Sequence, residues 1–324
     1  MGDRFSVNGQ RAGRPKPGPT SWSPPPEFAR RIVGIFGDAG ETWLARLPEL
    51  LAEYAQRWRL TLRPPIEPLS INYVAPALRA DGTHAMLKLG VPNAELLTEI
   101  EALRLYDGRG AARLLEADGP GGALLLERLQ PGTMLSELAD DEEATHIAAG
   151  VMRRLWRPLP AAHPFPTLAR WTAGLGRLRQ RFEGGSGPFP ASMFQAAESL
   201  LAELSASAGE PVLLHADLHH FNILSAQREP WLAIDPKGVA GEPAYEAAVL
   251  LANPFPEFLA WPDLERVTAR RIAQLAAELG FDRRRLAGWA LVQAVLSGCW
   301  ALEDHADDWE QWPAIARLFV PLIG

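Results

Sequence analysis

Apolar positions recur at threes and fours over residues 27–36 and again over 41–58, where Leu44, Leu47, Leu50, Leu51 and Tyr54 mark one face. That period predicts two amphipathic helices. A proline-rich hinge, Pro64-Pro65-Ile66-Glu67-Pro68, closes them. The pattern then shortens. Residues 69–74 and 84–89 read as strands around Ala80-Asp81-Gly82-Thr83, a strong turn signal, so 69–89 is predicted as a hairpin. A helix is predicted over 92–106, with Pro92 in its first turn, Asn93 as a cap, and Leu96, Ile100 and Leu103 facing inward. Two more strands, 112–116 and 123–127, flank Asp118-Gly119-Pro120-Gly121-Gly122. Strong β signals then stop, and residues 128–132 read as the boundary between two parts of the chain. Beyond it the period is helical. Helices are predicted over 142–155 (capped by Asp140 or Asp141), 167–182, 191–204, 245–251, 264–279, 283–302 and 309–322.

One stretch interrupts that helical half. The apolar run 212–214 ends at His215, a polar loop carries Asp217 and closes at Asn222, and a second apolar run, 231–234, delivers Asp235. The order His-x-Asp-x4-Asn, then Asp thirteen residues later, aims three oxygen-bearing side chains at one point. Phosphoryl transfer from a nucleotide needs such a set. One Asp orients and deprotonates a hydroxyl, while the Asn and the second Asp hold Mg²⁺ on the phosphates. Lys88 lies inside an apolar strand. Alone it also reads as an edge lysine that snorkels. Glu99 falls on or beside the inward helix face, where an isolated carboxylate is costly, so Lys88 is its expected partner and phosphate its expected target. Glu95 and Glu101 are expected to be solvated or to meet the helix N-terminus. No G-x-G-x-x-G and no G-x-x-x-x-G-K-[ST] occurs in the chain; the hairpin turn over 74–83 is left to cover phosphates through its N–H groups.

Composition narrows the partners. Lys and Arg number 32 against 39 Asp and Glu, a net charge of −7, which argues against nucleic acid. The apolar fraction of 47% is that of an ordinary globular protein. The single cysteine, Cys299, allows no intramolecular disulfide and fits a reducing cytoplasm. No apolar run reaches the ~18–20 residues of a membrane span, so no membrane partner is expected. Residues 1–26 read as a disordered leader rich in Gly, Pro, Ser and Arg, followed by a nucleotide-binding part over 27–130 and a helical part over 131–324. Oligomeric state is not legible.

Further along the chain, Glu303, Asp304, Asp307 and Asp308 form an acidic run beside Trp300, Trp309 and Trp312. The run is either a solvated helix end or a wall for a cationic substrate with aromatic faces beside it. Glu303 and Asp304 are its leading candidates. A zinc hydrolase built on His215, Asp217, His219 and His220 is a rival, but His84, His146, His163 and His305 supply no ligand-like pair to complete it. A nucleotide-binding pseudokinase is a third reading, disfavoured because Lys88, Asp217, Asn222 and Asp235 are all present.

The chain resembles the aminoglycoside phosphotransferases, and within them the streptomycin 6-kinase-like (aminoglycoside/hydroxyurea antibiotic resistance kinase) family. The resemblance rests on N-Y-V-A-P-A-L-R-A-D-G-T (72–83), L-K-L-G (87–90), L-R-L-Y-D-G-R-G-A (103–111), L-L-L-E-R-L-Q-P-G (124–132), H-A-D-L-H-H-F-N-I-L (215–224) and W-L-A-I-D-P-K-G (231–238). It extends through G-E-P-A-Y-E (241–246) and N-P (253–254) and covers roughly 30–320. It implies an α+β, two-lobed protein-kinase-like fold: a small β-rich N-lobe with a helical cap, and a mainly helical C-lobe. It also implies an ATP- and Mg²⁺-dependent kinase of a small cationic aminoglycoside. Asp217 would be the catalytic residue, Asn222 and Asp235 the metal ligands, and Lys88 with Glu99 the phosphate anchor. The backbone of Glu127, Arg128 and Leu129 would meet adenine, with His215 and Lys237 supporting the site. Departures fall at two places. The family commonly carries Asp where this chain has Glu242 and Glu246, and Pro-Gly where it has His220-Phe221. The bulk of His220 is expected to reshape the substrate side.

Overall fold

The computed structural model describes residues 23–304 and 307–324. Most of the expected leader, residues 1–22, lies outside the described residues, as do His305 and Ala306 within the acidic run. Two helices come first among the described residues: α1 (Pro26–Phe36) and α2 (Asp38–Arg57). They pack on strands β1 (Leu60–Leu62), β2 (Tyr73–Arg79) and β3 (His84–Leu89). Helix α3 (Ala94–Tyr106) and strands β4 (Leu114–Asp118) and β5 (Ala123–Glu127) follow. The five strands form one antiparallel sheet in the order β1-β2-β3-β5-β4. One face of this sheet, including Leu87, Leu89 and Leu125, buries against Ile32, Trp43, Leu47 and Tyr54 of the two capping helices. The opposite face of β5, at Leu124 and Leu126, joins the core that α3 shares with the helical half.

That half contains β6 (Pro131–Met134), α4 (Asp141–Leu155), β7 (Arg157–Pro158), α5 (Leu168–Trp171), α6 (Gly174–Arg181) and α7 (Ala191–Ala206). Next come β8 (Val212–Leu214), β9 (Ile223–Ala226), β10 (Trp231–Ala233) and β11 (Val239–Gly241). It closes with α8 (Pro243–Leu251), α9 (Leu264–Leu279), α10 (Arg283–Glu303) and α11 (Trp312–Phe319). Two three-stranded sheets, β10-β9-β6 and β11-β8-β7, carry the loops between β8 and β11. Helix α10 is the axis of this lobe: Leu291, Val292, Val295 and Leu296 are fully or almost fully buried. By length and composition α10 is apolar enough to cross a membrane, but 72% of its apolar window is buried inside the protein. The expected helix over 283–302 matches α10, but no spanning apolar run was read in it because Trp, Gly, Gln and Ser interrupt the aliphatic residues.

Caps set several helix starts. Asn93 Oδ1 accepts the Leu96 N–H at 2.9 Å, Asp140 accepts from Glu142 and Glu143, and Asp282 accepts from Arg285. Each satisfies an amide that the helix leaves unpaired. Elsewhere the elements differ from the sequence reading. The first hairpin strand runs over Tyr73–Arg79, not 69–74. Pro76 donates no hydrogen bond, yet its carbonyl accepts from Arg63 N–H at 2.8 Å and the strand continues through it. The next strand begins two residues late, at Leu114, with a register shift between Leu114 and Glu116. The expected 167–182 helix is two short ones, α5 and α6, separated at Thr172. Its hydroxyl donates back to the Leu168 carbonyl (2.9 Å), a side-chain bond that competes with helix continuation. Strand β6 was missed because Pro-Gly-Thr-Met carries no alternating apolar pattern.

Candidate active site

Helix α3 and the 215–238 segment face each other across the junction of the lobes. Lys88 on β3 is buried (5% exposed), and its ammonium donates to both Glu99 oxygens at 2.7 Å and to Asp235. Burial works against the charge of Lys88, but Asp235 and Glu99 outweigh it and hold the ammonium protonated. Burial pushes the Glu99 carboxyl up to about 7, against the pull of Lys88. Asp235 moves the other way. Burial would raise its pKa, yet Lys88 and Lys237 hold the carboxyl well below the usual range, so it stays ionised.

The loop that carries Asp217 is fixed from beneath by α8. The Glu246 oxygens accept the N–H groups of His215 (2.7 Å) and Ala216 (2.9 Å). These two bonds hold Ala216 at φ +65°, a left-handed conformation rare for a residue with a Cβ. His215 is fully buried. Its Nε2–H donates to the Ile234 carbonyl (2.7 Å) and its Nδ1 accepts the Asp217 N–H (3.2 Å), so the ring stays neutral, its pKa pushed down by burial to about 3. The Asp217 side chain is one-third exposed. Burial pushes its carboxyl up, opposed by His219 (3.6 Å) and Lys237 (3.8 Å). Asn222 donates through Nδ2 to the Asp217 carbonyl at 2.9 Å, and its backbone carbonyl accepts from Ile234 N–H at 2.9 Å. The amide nitrogen is thereby used inward, and the amide oxygen is the end left to meet a cation. With Asp235 that makes a pair of hard oxygen donors, a set that suits Mg²⁺. Among the described residues no three His, Cys, Asp or Glu side chains converge on a metal position.

The segment after β5 is anchored as well. Glu127 accepts from Arg228 Nε (3.1 Å) and Nη2 (2.9 Å) and from the Arg113 N–H (3.1 Å). Leu129 is buried with Ala112 and Leu232, and the preceding Arg128 is half-buried. The side chain of Glu127 is thus committed to structure, and its N–H donates to the Arg113 carbonyl at 2.8 Å.

A cleft of about 680 Å³ opens beside Asp217 and Lys237, with Trp171, Trp300, Arg177 and Asp304 along its walls. Two expected substrate contacts change here. Glu303 is clamped by Arg177 through Nε and Nη2, both at 2.8 Å, so it faces a guanidinium of its own chain. His220 is 2% exposed and packs behind the loop against Arg271 (3.5 Å), which in turn bonds Asp141 and stacks on Phe258 and Trp261. Its bulk fills the core beneath the loop, not the cleft. Asp304 does reach the cleft. Of the two departures at Glu, Glu246 is the loop anchor, while Glu242 binds Arg285 and Trp289 and ties α8 to α10. Glu95, expected to be solvated or to meet the helix N-terminus, is exposed (46%), but the sequence reading missed its ion pair with Lys237 at 2.9 Å. It lies four residues before Glu99, on the same helix face, and that spacing was the available signal.

A small antiparallel sheet with a lysine–glutamate couple, joined to a helical lobe that offers Asp, Asn and Asp on adjacent loops, defines the kinase-like phosphotransferases. The likeness of the chain to the choline kinase LicA from Streptococcus pneumoniae (TM-score 0.59, 12% identity, covering 86% of this chain and 99% of that one) supports the same fold. The chain belongs to the aminoglycoside/hydroxyurea antibiotic resistance kinase family, whose model matches residues 57–305. It is 36% identical over 281 residues to a streptomycin 6-kinase of Streptomyces glaucescens, covering 86% of this chain and 91% of the relative. It is 39% identical over 291 residues to a hydroxyurea phosphotransferase of Kitasatospora aureofaciens, covering 86% and 80%.

Proposed function

We propose that the protein transfers the γ-phosphoryl group of ATP to a hydroxyl of a small antibiotic, with a streptomycin-type aminoglycoside as the leading acceptor. The observation that carries this reading is the ion pairing of Lys88 with both Glu99 and Asp235, with Asp217 and Asn222 on the adjoining loop and Lys237 bordering both the cleft beside Asp217 and the small cavity beside Lys88. The acceptor hydroxyl lies against Asp217. Its oxygen forms a bond to the γ-phosphorus as the bond from that phosphorus to the bridging oxygen breaks, and the electron pair leaves with ADP. The hydroxyl proton passes to the Asp217 carboxylate, whose raised pKa suits that role. Lys88, aimed by Glu99, neutralises the nucleotide phosphates. The backbone of Glu127, Arg128 and Leu129 meets adenine. Asn222 and Asp235 hold Mg²⁺, which when bound offsets charge on the phosphate oxygens. His215 orients the loop through its two ring hydrogen bonds and does not touch substrate.

The lobes divide at residues 130 and 131, a division supported by the pairing of β6 with β9 of the helical lobe. A reducing cytoplasm fits the lone buried thiol of Cys299. A smaller, uncharged acceptor of the hydroxyurea type is the second reading. It is favoured by Arg170 and Arg177 in the cleft, which dilute the negative charge that a polycation would want. An ADP-release screen with Mg·ATP against streptomycin, other aminoglycosides and hydroxyurea tests both. Stimulation by streptomycin supports the first, stimulation by hydroxyurea alone supports the second, and no stimulation by any of them overturns the acceptor class.

A further inference from the structure

Helix α3 presents two carboxylates to two lysines one turn apart. Glu99 holds Lys88, and Glu95 holds Lys237 at 2.9 Å. The Lys237 ammonium also lies 3.4 Å from Asp235 and 3.8 Å from Asp217. It borders both the acceptor cleft and the small cavity lined by Lys88 and Glu99. Its backbone is clamped on both sides. The Lys237 N–H donates to the His215 carbonyl (2.8 Å), and the Lys237 carbonyl accepts from the Thr98 hydroxyl (2.7 Å). Gly238 follows at φ +71°, where a Cβ would come within 2.9 Å of the Thr98 carbonyl, so only glycine lets the chain press this closely against α3. The helix that aims Lys88 therefore also fixes the position of Lys237.

We propose that Lys237 is a second cation for the transferring phosphoryl group, poised by Glu95 in the gap between the acceptor-side Asp217 and the metal-side Asp235. The inference rests on the phosphotransfer reading above. In that reaction the phosphoryl group crosses from the nucleotide, beside Lys88 and Asp235, to an oxygen beside Asp217. An ammonium within 4 Å of both carboxylates stands on that route. Charge spreads over the three equatorial oxygens of the group as it moves, and a fixed cation there stabilises it more than it stabilises the bound nucleotide. A lysine that only neutralised neighbouring carboxylates would affect ADP and ATP alike. A lysine facing the γ-phosphoryl separates them.

The test is calorimetric titration of ADP and of AMP-PNP, both with Mg²⁺, into the wild type, Lys237→Met, Lys237→Arg and Glu95→Gln. Lys237→Met is expected to lose about tenfold in AMP-PNP affinity while ADP affinity stays within about threefold. Lys237→Arg is expected to restore most of that loss, because it returns the charge. Glu95→Gln keeps the lysine but frees it, and is expected to weaken AMP-PNP a few-fold with ADP unchanged. In turnover, kcat of Lys237→Met should fall about 100-fold or more, beyond the change in nucleotide KM. Equal losses for ADP and AMP-PNP, or none for either, in Lys237→Met would overturn the inference. If that variant fails to fold, an unchanged ratio of the two affinities in Glu95→Gln does the same. A wild type that binds neither nucleotide would instead sink the phosphotransfer reading itself.

Discussion

Glu246 is the support on which the Asp217 loop stands, and removing it separates positioning from chemistry. The side chain is fully buried in α8 and accepts two backbone N–H groups, from His215 and Ala216. Burial pushes its carboxyl up to about 7, and the two N–H bonds act against that rise. Glu246→Ala leaves both amides buried and unpaired. An unsatisfied buried donor costs about 1–3 kcal/mol, so the pair costs about 2–6 kcal/mol, partly offset because a buried carboxylate no longer has to be desolvated. Glu246→Gln keeps the shape but turns an NH₂ toward one of the two donors, a loss of about 1–3 kcal/mol. For a chain of this length 1 kcal/mol moves the melting temperature by about 1.5 °C. The expected drops are therefore about 2–5 °C for Gln and about 3–9 °C for Ala. Activity should suffer more than stability. Without its anchor Ala216 relaxes from its left-handed conformation, and Asp217, the next residue, shifts. A displacement of about 1 Å at a reacting group costs about 100-fold in rate. The assay is thermal melting beside acceptor-stimulated ADP release, with nucleotide affinity as the control. Nucleotide affinity should hold, since Lys88 and Glu99 lie on the other lobe. A Glu246→Ala protein that melts within about 1 °C of the wild type and keeps kcat within about threefold would refute this reasoning.

Three further outcomes follow from the same geometry. Lys88→Met strands Glu99 without its partner, so stability should fall by about 3–5 kcal/mol and Mg·ATP affinity by at least tenfold; adding Glu99→Gln should recover stability but not affinity, and a single variant that binds Mg·ATP normally in calorimetry would count against the role of Lys88. His215 is neutral and buried, with its folded pKa of about 3 below the ordinary 6.5. The unfolded chain takes up a proton that the native state refuses, so this histidine's contribution is complete above pH 6.5 and declines as pH falls toward 3, by up to about 1.4 kcal/mol per pH unit. Glu99 and Glu246, both raised to about 7, work in the opposite direction, so the readout is the difference between wild type and His215→Gln. The stability gap between them should shrink between pH 6.5 and 4.5, and a constant gap would contradict the neutral ring. Asp304→Asn should raise the KM of a cationic acceptor about tenfold with little change in the nucleotide KM; steady-state kinetics in which both constants stay put would remove Asp304 from the acceptor side.

Much of the site could be read along the chain because its parts are local. Asp217, Asn222 and Asp235 fall within one turn-rich stretch, and the Lys88–Glu99 pairing follows from a polar residue on each of two inward faces. What could not be read depends on distant partners. His220 looks like a loop residue until Arg271, 51 positions away, packs on it. Glu303 looks like an open acid until Arg177, 126 positions away, clamps it. Glu95 looked solvated because its partner, Lys237, arrives from the far side of the chain. The fold shows the same division. The long helices, and the caps at Asn93 and Asp140, follow from period and side-chain chemistry. Strands of two to four residues such as β6 and β7 are too short for alternation to register, and exist only because β9 and β8 pair with them.

The central claim is that Asp217 serves transfer to a hydroxyl and not nucleotide binding. Phosphorus NMR of Mg·ATP with streptomycin, run on the wild type and Asp217→Asn, tests it most directly. The wild type should yield a phosphomonoester resonance that grows in step with ADP. Asp217→Asn should bind AMP-PNP within about threefold of the wild type yet form the monoester about 10²–10⁴ times more slowly. A variant that forms monoester at the wild-type rate would contradict the claim, as would a wild type that releases only ADP and inorganic phosphate.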